Sequence, residues 1–219
     1  MTSLGKQAAA RLDRPPPPVP ARPSQARLRA AVQKCRACDL WEGATQGVMG
    51  EGAGHARVMF VGEQPGDRED REGHPFVGPA GRVLDEGLAR AGIAREEVYI
   101  TNAVKHFRYK AQGKRRIHQK PDRWHVSACL PWLEAELSMV KPEALVLLGA
   151  TAGQALVGPA LRVGRDRGRA LDCDLAEFVT VTTHPSAILR TREDDERAAA
   201  MDAFVADLEA VAAFLKHHG

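Results

Sequence analysis

Four short apolar runs, separated by stretches of helical periodicity, constrain this chain more than any other feature. They are RVMFVG at 57–62, EVYITNAV at 97–104, ALVLLG at 144–149 and EFVTVT at 177–182. Each is too short for a helix of the usual length and reads as a buried strand. Between them, apolar residues recur at intervals of three and four. Val83, Leu84, Leu88 and Ala91 mark a helix at 81–91, and Cys129, Leu130, Leu133, Leu137 and Val140 mark another at 122–140. A further helix starts near Thr151, and a last one carries Ala203, Phe204, Leu208, Val211 and Leu215 along one side. A short helix is expected over 25–34. Strands alternating with helices imply an α/β fold, a three-layer α/β/α sandwich around a four-stranded, mainly parallel central sheet. Ligands of such sheets bind beyond the carboxyl ends of the strands. Here those positions hold residues 63–67, Asn102 with a basic stretch, Gly149 and His184.

The 219 residues suffice for one well-buried domain plus a tail. Four consecutive prolines at 15–18 favour extended, solvated chain, so residues 1–25 are expected to form a flexible proline-rich arm and 26–219 the domain. No apolar run approaches the ~18–20 residues that span a bilayer, and the N-terminus lacks the apolar core of a secretory signal. A cytoplasmic monomer with no membrane partner is the expectation. The net charge of +3 permits nucleic-acid binding without demanding it. Its distribution says more: Lys105, Arg108, Lys110, Lys114, Arg115, Arg116 and Lys120 form a stretch with no acidic residue among them. Taken alone, that is a solvated loop; it becomes a DNA contact only if chemistry lies beside it.

Gly62-Glu63-Gln64-Pro65-Gly66-Asp67 leaves a strand and enters a tight turn. It is neither a dinucleotide fingerprint nor a Walker loop, because the required glycine order and the Gly-Lys-Ser/Thr are absent. In the run from Gly73 to Gly81, GHPFVGPAG, an exposed Phe76 between proline and glycine suits a stacking platform for a flipped base. Cysteines stand at 35, 38, 129 and 173. In a reducing compartment the Cys35-x-x-Cys38 pair suggests a metal or redox site, and spacing alone allows zinc and iron–sulfur equally.

GEQPGDRED…GHPFVGPAGRVLDE resembles the first motif of family 4 and related uracil-DNA glycosylases. HPSAILR resembles their last motif, and YITNAVK the strand that supplies a base-reading asparagine. The resemblance spans roughly 30–215 and implies that Phe76 stacks on uracil, Asn102 reads its edge and His184 donates to its carbonyl oxygen. It further implies that Glu63 orients a neighbouring histidine or supports the sugar cation, that Gln64 contacts the nucleotide, and that Asp67 does the same or fixes the turn. A donor facing the base and a carboxylate near the sugar both favour charge separation across the breaking glycosidic bond.

Family 4 enzymes usually carry a cysteine just after the second strand, where this chain has Lys105-His106-Phe107 followed by an insertion containing KRRIH at 114–118. That combination resembles the UdgX-type glycosylases, whose loop histidine forms a covalent adduct with uracil-containing DNA; the role falls on His118. Lys114, Arg115, Arg116 and Ser186 are expected at DNA phosphates. The resemblance also implies a [4Fe–4S] cluster held by Cys35, Cys38, His106 and Cys129, with Cys173 a plain thiol. Two alternatives stand beside this reading: an ordinary turnover glycosylase releasing uracil and an abasic site, and a cluster- or zinc-bearing DNA-binding module without chemistry.

Overall fold

A computed structural model describes residues 14–218. Of the proline-rich arm, residues 1–13 lie outside that range. The remainder leads to α1 (Gln25–Val32), whose first turn is capped by Ser24 accepting from the Arg27 amide at 3.4 Å. Val19 of this stretch is half-buried against the cluster formed by Leu28, Val32, Trp132 and the three cysteines 35, 38 and 129.

The central sheet has the order β1-β3-β2-β6-β7, with β1 (Glu51–Gly52), β2 (Val58–Gly62), β3 (Val98–Asn102), β6 (Ala144–Leu148) and β7 (Phe178–Thr182). The four expected strands pair in parallel. The expectation of four strands is corrected to five, because β1 adds an antiparallel edge through Glu51↔Ile100 and Gly52↔Tyr99. A two-residue Glu-Gly strand carries no apolar alternation and leaves no sequence signal.

Successive side chains of the buried strands point to opposite faces, and each face has its own helical cover. Val58, Phe60, Ile100 and Val146 pack with Leu84 and Leu88 of α4 (Pro79–Ala91) and with Phe204, Leu208 and Val211 of α9 (Asp194–His217). Met59, Val61, Tyr99, Leu145 and Val181 pack on the other side with Leu130 and Leu133 of α5 (Arg123–Val140) and with Ala152 and Leu156 of α6 (Ala150–Leu156). This is the three-layer α/β/α sandwich. Short helices α2 (Leu40–Gly43), α3 (Asp67–Glu72), α7 (Val163–Asp166) and α8 (Pro185–Arg190) fill the connections. Among the described residues no helix is long and apolar enough to cross a membrane.

The basic stretch is a β-hairpin rather than a loop. Its strands β4 (Tyr109–Gln112) and β5 (Arg115–His118) pair from Tyr109↔His118 to Gln112↔Arg115, and Gly113 takes the turn at φ +56°. Chain order fixes where the site must lie. From β2 the chain crosses to β3 on one side, and from β6 to β7 on the other. The crevice therefore opens between the carboxyl ends of β2 and β6, where the topology switches direction.

Candidate active site

Two side chains meet across that crevice. Glu63 follows β2, Thr151 opens α6 after β6, and the Thr151 hydroxyl donates a short hydrogen bond to Glu63 Oε2. The other carboxylate oxygen, Oε1, lies 3.3 Å from His118 Nε2 at the end of the hairpin. Burial lowers the His118 pKa, the Glu63 charge acts against it, and Arg190 reinforces it. The imidazole is therefore neutral at pH 7, half-exposed, and aimed at a carboxylate held from behind.

Beside this pair Phe76, Asn102 and His184 converge at the strand ends, a candidate slot for a planar ring. A Cβ on Gly62 would stand 2.4 Å from Asn102 Oδ1 and 2.7 Å from Phe76 Cζ, so only glycine lets both side chains close over the strand end. Phe76 adopts the left-handed region at φ +54°, and its carbonyl turns so near Gly81 that a Cβ there would overlap it. Its ring is tilted 30° to that of His184 with centroids 6.0 Å apart. Asn102 Oδ1 is buried without a hydrogen-bond partner. A bare buried acceptor is costly and rare, and it leaves Asn102 able to accept from a donor brought to it.

His184 ends the loop after β7 and caps α8, with Nδ1 accepting from the Ser186 amide at 3.2 Å. An accepting Nδ1 leaves the proton on Nε2, so the neutral ring keeps one N–H donor. Burial, then Arg190 and His118, push its pKa down to about 4. Ser186, expected at a phosphate, supports His184 here. Its hydroxyl lies 2.9 Å from His184 Nδ1 and accepts from Arg190 at 3.2 Å.

The hairpin is held by residues to which the sequence assigned other tasks. Gln64 donates from Nε2 to the carbonyls of Arg108 at 3.1 Å and Gln119 at 3.0 Å, and its Oε1 accepts from the Arg108 amide at 3.1 Å. Both amide hydrogens are engaged, so Gln64 staples the base of the hairpin. Arg116, expected at a phosphate, is engaged within the protein. It pairs with Asp67 and, at 2.6 Å, with the fully buried Asp70 of α3, and lies over the Phe107 and Tyr109 rings. Asp67 thus fixes hairpin to turn. Lys114 and Arg115 remain exposed at the tip.

Thr151 and Asp70 escaped the sequence reading. An acidic DRED run at 67–70 facing a basic KRR at 114–116 is the signal that could have suggested the second. A buried ion pair was missed too. Lys105 Nζ donates to Glu136 at 2.5 Å, Thr101 at 2.8 Å and the Asn102 carbonyl at 2.6 Å. It ties the base-facing strand end to α5.

Cys35, Cys38, Cys129 and His106 are all buried, and all four cysteines of the chain are free thiols. The Cys38 and Cys129 thiols are hydrogen-bonded, the Lys105 amide reaches Cys129, and Trp132 donates to Cys35 Sγ at 3.4 Å. His106 Nδ1 is buried without a partner. Among the described residues, no three His, Cys, Asp or Glu side chains stand at positions that would hold a metal ion as they are. Cys173 lies apart, half-buried against the Met59–Val181 face.

The profile described as "Uracil DNA glycosylase superfamily" matches residues 49–209, which include Glu63, Phe76, Asn102, His118 and His184. The chain belongs to the uracil DNA glycosylase superfamily. Within it, the chain is 38% identical over 189 residues to the Type-4 uracil-DNA glycosylase of Thermotoga maritima, covering 86% of this chain and 93% of that protein. It is 35% identical over 171 residues to the Type-4 uracil-DNA glycosylase of Pyrobaculum aerophilum, covering 75% and 84%. A Type-4 uracil-DNA glycosylase of Saccharolobus solfataricus is 33% identical over 166 residues, covering 72% and 74%. The superfamily match begins after Cys35 and Cys38 and contains the other two candidate cluster ligands.

Proposed function

We propose that this protein excises uracil from DNA, with single strands favoured, and remains joined to the abasic-site sugar through His118. The observation that carries the reading is the 3.3 Å approach of His118 Nε2 to a Glu63 carboxylate anchored by Thr151.

A uracil flipped into the slot stacks on Phe76. Its N3–H donates to the bare Asn102 Oδ1; cytosine presents a lone pair there, and two facing acceptors reject it. The His184 Nε2–H donates to a uracil carbonyl oxygen. As the glycosidic bond breaks, its electron pair leaves with uracil, and that donor stabilises the forming anion by a factor of order 10²–10³. Glu63 faces the positive charge that develops on the sugar. The His118 Nε2 proton passes to Glu63, and the Nε2 electron pair forms the bond to the anomeric carbon. The product is a neutral N-alkylimidazole, a poor leaving group without acid assistance, so the enzyme stops after one turnover. Single strands need no base pair broken before flipping.

Three buried free thiols and the unpartnered His106 Nδ1 fit the donor chemistry of a [4Fe–4S] cluster, in which each ligand binds a different iron. Cys35, Cys38, His106 and Cys129 would hold it. When bound, the cluster supplies a structural cross-link among the α1 loop, the segment after β3 and α5.

The test is a product count with DNA in large excess. Uracil release that halts at one per protein supports covalent capture; release that continues through many turnovers leaves an ordinary glycosylase.

A further inference from the structure

We infer that a basic groove beside Thr151 carries the phosphodiester backbone of the single strand adjoining the flipped nucleotide, an inference that rests on the proposed action on DNA. The groove, about 370 Å³, lies between the segment leaving the hairpin, the first turns of α5, α6, and the turn at 158–162. A site of this volume suits one small-ligand-sized unit, of the order of a nucleotide.

Three features select its occupant. Lys120, Arg123 and Arg162 line the groove, and no acidic side chain does. Lys120 and Arg123 are exposed and join no ion pair among the described residues; the neighbouring Asp122 is taken by Arg108 at 2.8 Å. Arg162 is fixed in place, donating to the carbonyls of Pro159 at 2.7 Å and Leu161 at 2.9 Å while its positive charge stays unneutralised. Such a concentration of unpaired cations, with Ser127 and Gln154 as further polar partners, suits a chain of phosphates.

Position supplies the third feature. Thr151 lines the groove and is the same residue that holds Glu63. A strand whose target sugar sits at Glu63 therefore meets the groove at once, on the opposite side of the carboxylate from His118. The hairpin tip with Lys114 and Arg115 is a separate basic element.

The test uses the full chain and a fluorescent single strand containing thymine but no uracil, so that binding is read without any excision. Its affinity is measured by anisotropy across salt concentrations for the wild type, for Lys120→Gln/Arg123→Gln, and for Lys141→Gln/Lys216→Gln, which removes two exposed cations elsewhere. Each phosphate contact on a single strand contributes about 0.7 to the slope of log affinity against log salt, so the groove variant should lose about 1.4. The distant variant should keep the wild-type slope. An unchanged slope in the groove variant, or an equal loss in both variants, overturns the inference. Wild-type capture and alkali-sensitive excision of a uracil-containing strand are scored separately: failure of both would remove the glycosylase reading while leaving the groove result to be judged by its own slopes.

Discussion

His118 and Glu63 meet from two separately folded segments, and among the described residues the carboxylate between Nε2 and the Thr151 hydroxyl is the acidic group facing that imidazole. Capture requires the neutral ring, because a protonated imidazole has no electron pair to give. Burial first, then Arg190, hold the His118 pKa below its ordinary value, with Glu63 opposing. The rate of adduct formation should rise with pH through that lowered pKa and be flat from about pH 7 upward. His184 stays neutral down to about 4 and does not shape this limb. Initial rates of capture from pH 4 to 8 check this; a half-maximum above the ordinary histidine value of about 6.5 would contradict it.

Arg116→Ala should harm capture more than it harms the fold. The substitution leaves Asp70, with no exposed surface, to the Thr45 amide alone. Breaking a fully buried pair costs about 3–5 kcal/mol; Arg116 and Asp67 both touch water, so about 2 kcal/mol is expected, a fall of roughly 4–8 °C in melting temperature. The hairpin end then no longer holds His118 on Glu63, and capture should slow by about 10²-fold, as a misplaced reacting group does. Calorimetry and adduct kinetics on the same preparation separate the two effects. Equal loss of capture and of ordinary uracil release would count against a positioning role.

Asn102→Ala should abolish most activity without destabilising the protein. The orphaned Oδ1 is a burden on the free enzyme of about 1–3 kcal/mol, which the substitution removes. Efficiency on uracil should drop by about 10²–10³-fold while the melting temperature falls by no more than about 2 °C. A large melting-temperature loss would mean that Asn102 is structural.

The central strands were legible because both their faces are buried, which turns them into unbroken apolar runs such as VMFVG and ALVLL. The sequence motifs containing Phe76, Asn102 and His184 also come together in the fold. The hairpin was not legible. Its strands YKAQ and RRIH are mostly exposed and carry no alternation, and what anchors them is Gln64, Asp67 and Asp70, which lie far away in sequence. The chemistry of Gln64 and Arg116 is visible in the sequence, whereas the protein partners they hold are set by the tertiary fold.

The cluster ligands can be tested by composition. The full chain, purified without oxygen, should contain iron and sulfide in equal amounts; His106→Ala should lose much of both, and His106→Cys should retain them with a lowered potential, since a thiolate adds negative charge. Zinc without sulfide would contradict the cluster assignment and favour a three-cysteine, one-histidine ion site.

The central claim is the bond between His118 and the sugar. A denaturing gel of the protein with labelled uracil-containing single-stranded DNA, run beside a thymine control and His118→Ala, tests it most directly. A heat-stable shifted band is predicted with uracil only, and it should vanish in His118→Ala. Strand breakage after alkali with no shifted band, or a band that survives His118→Ala, would contradict it.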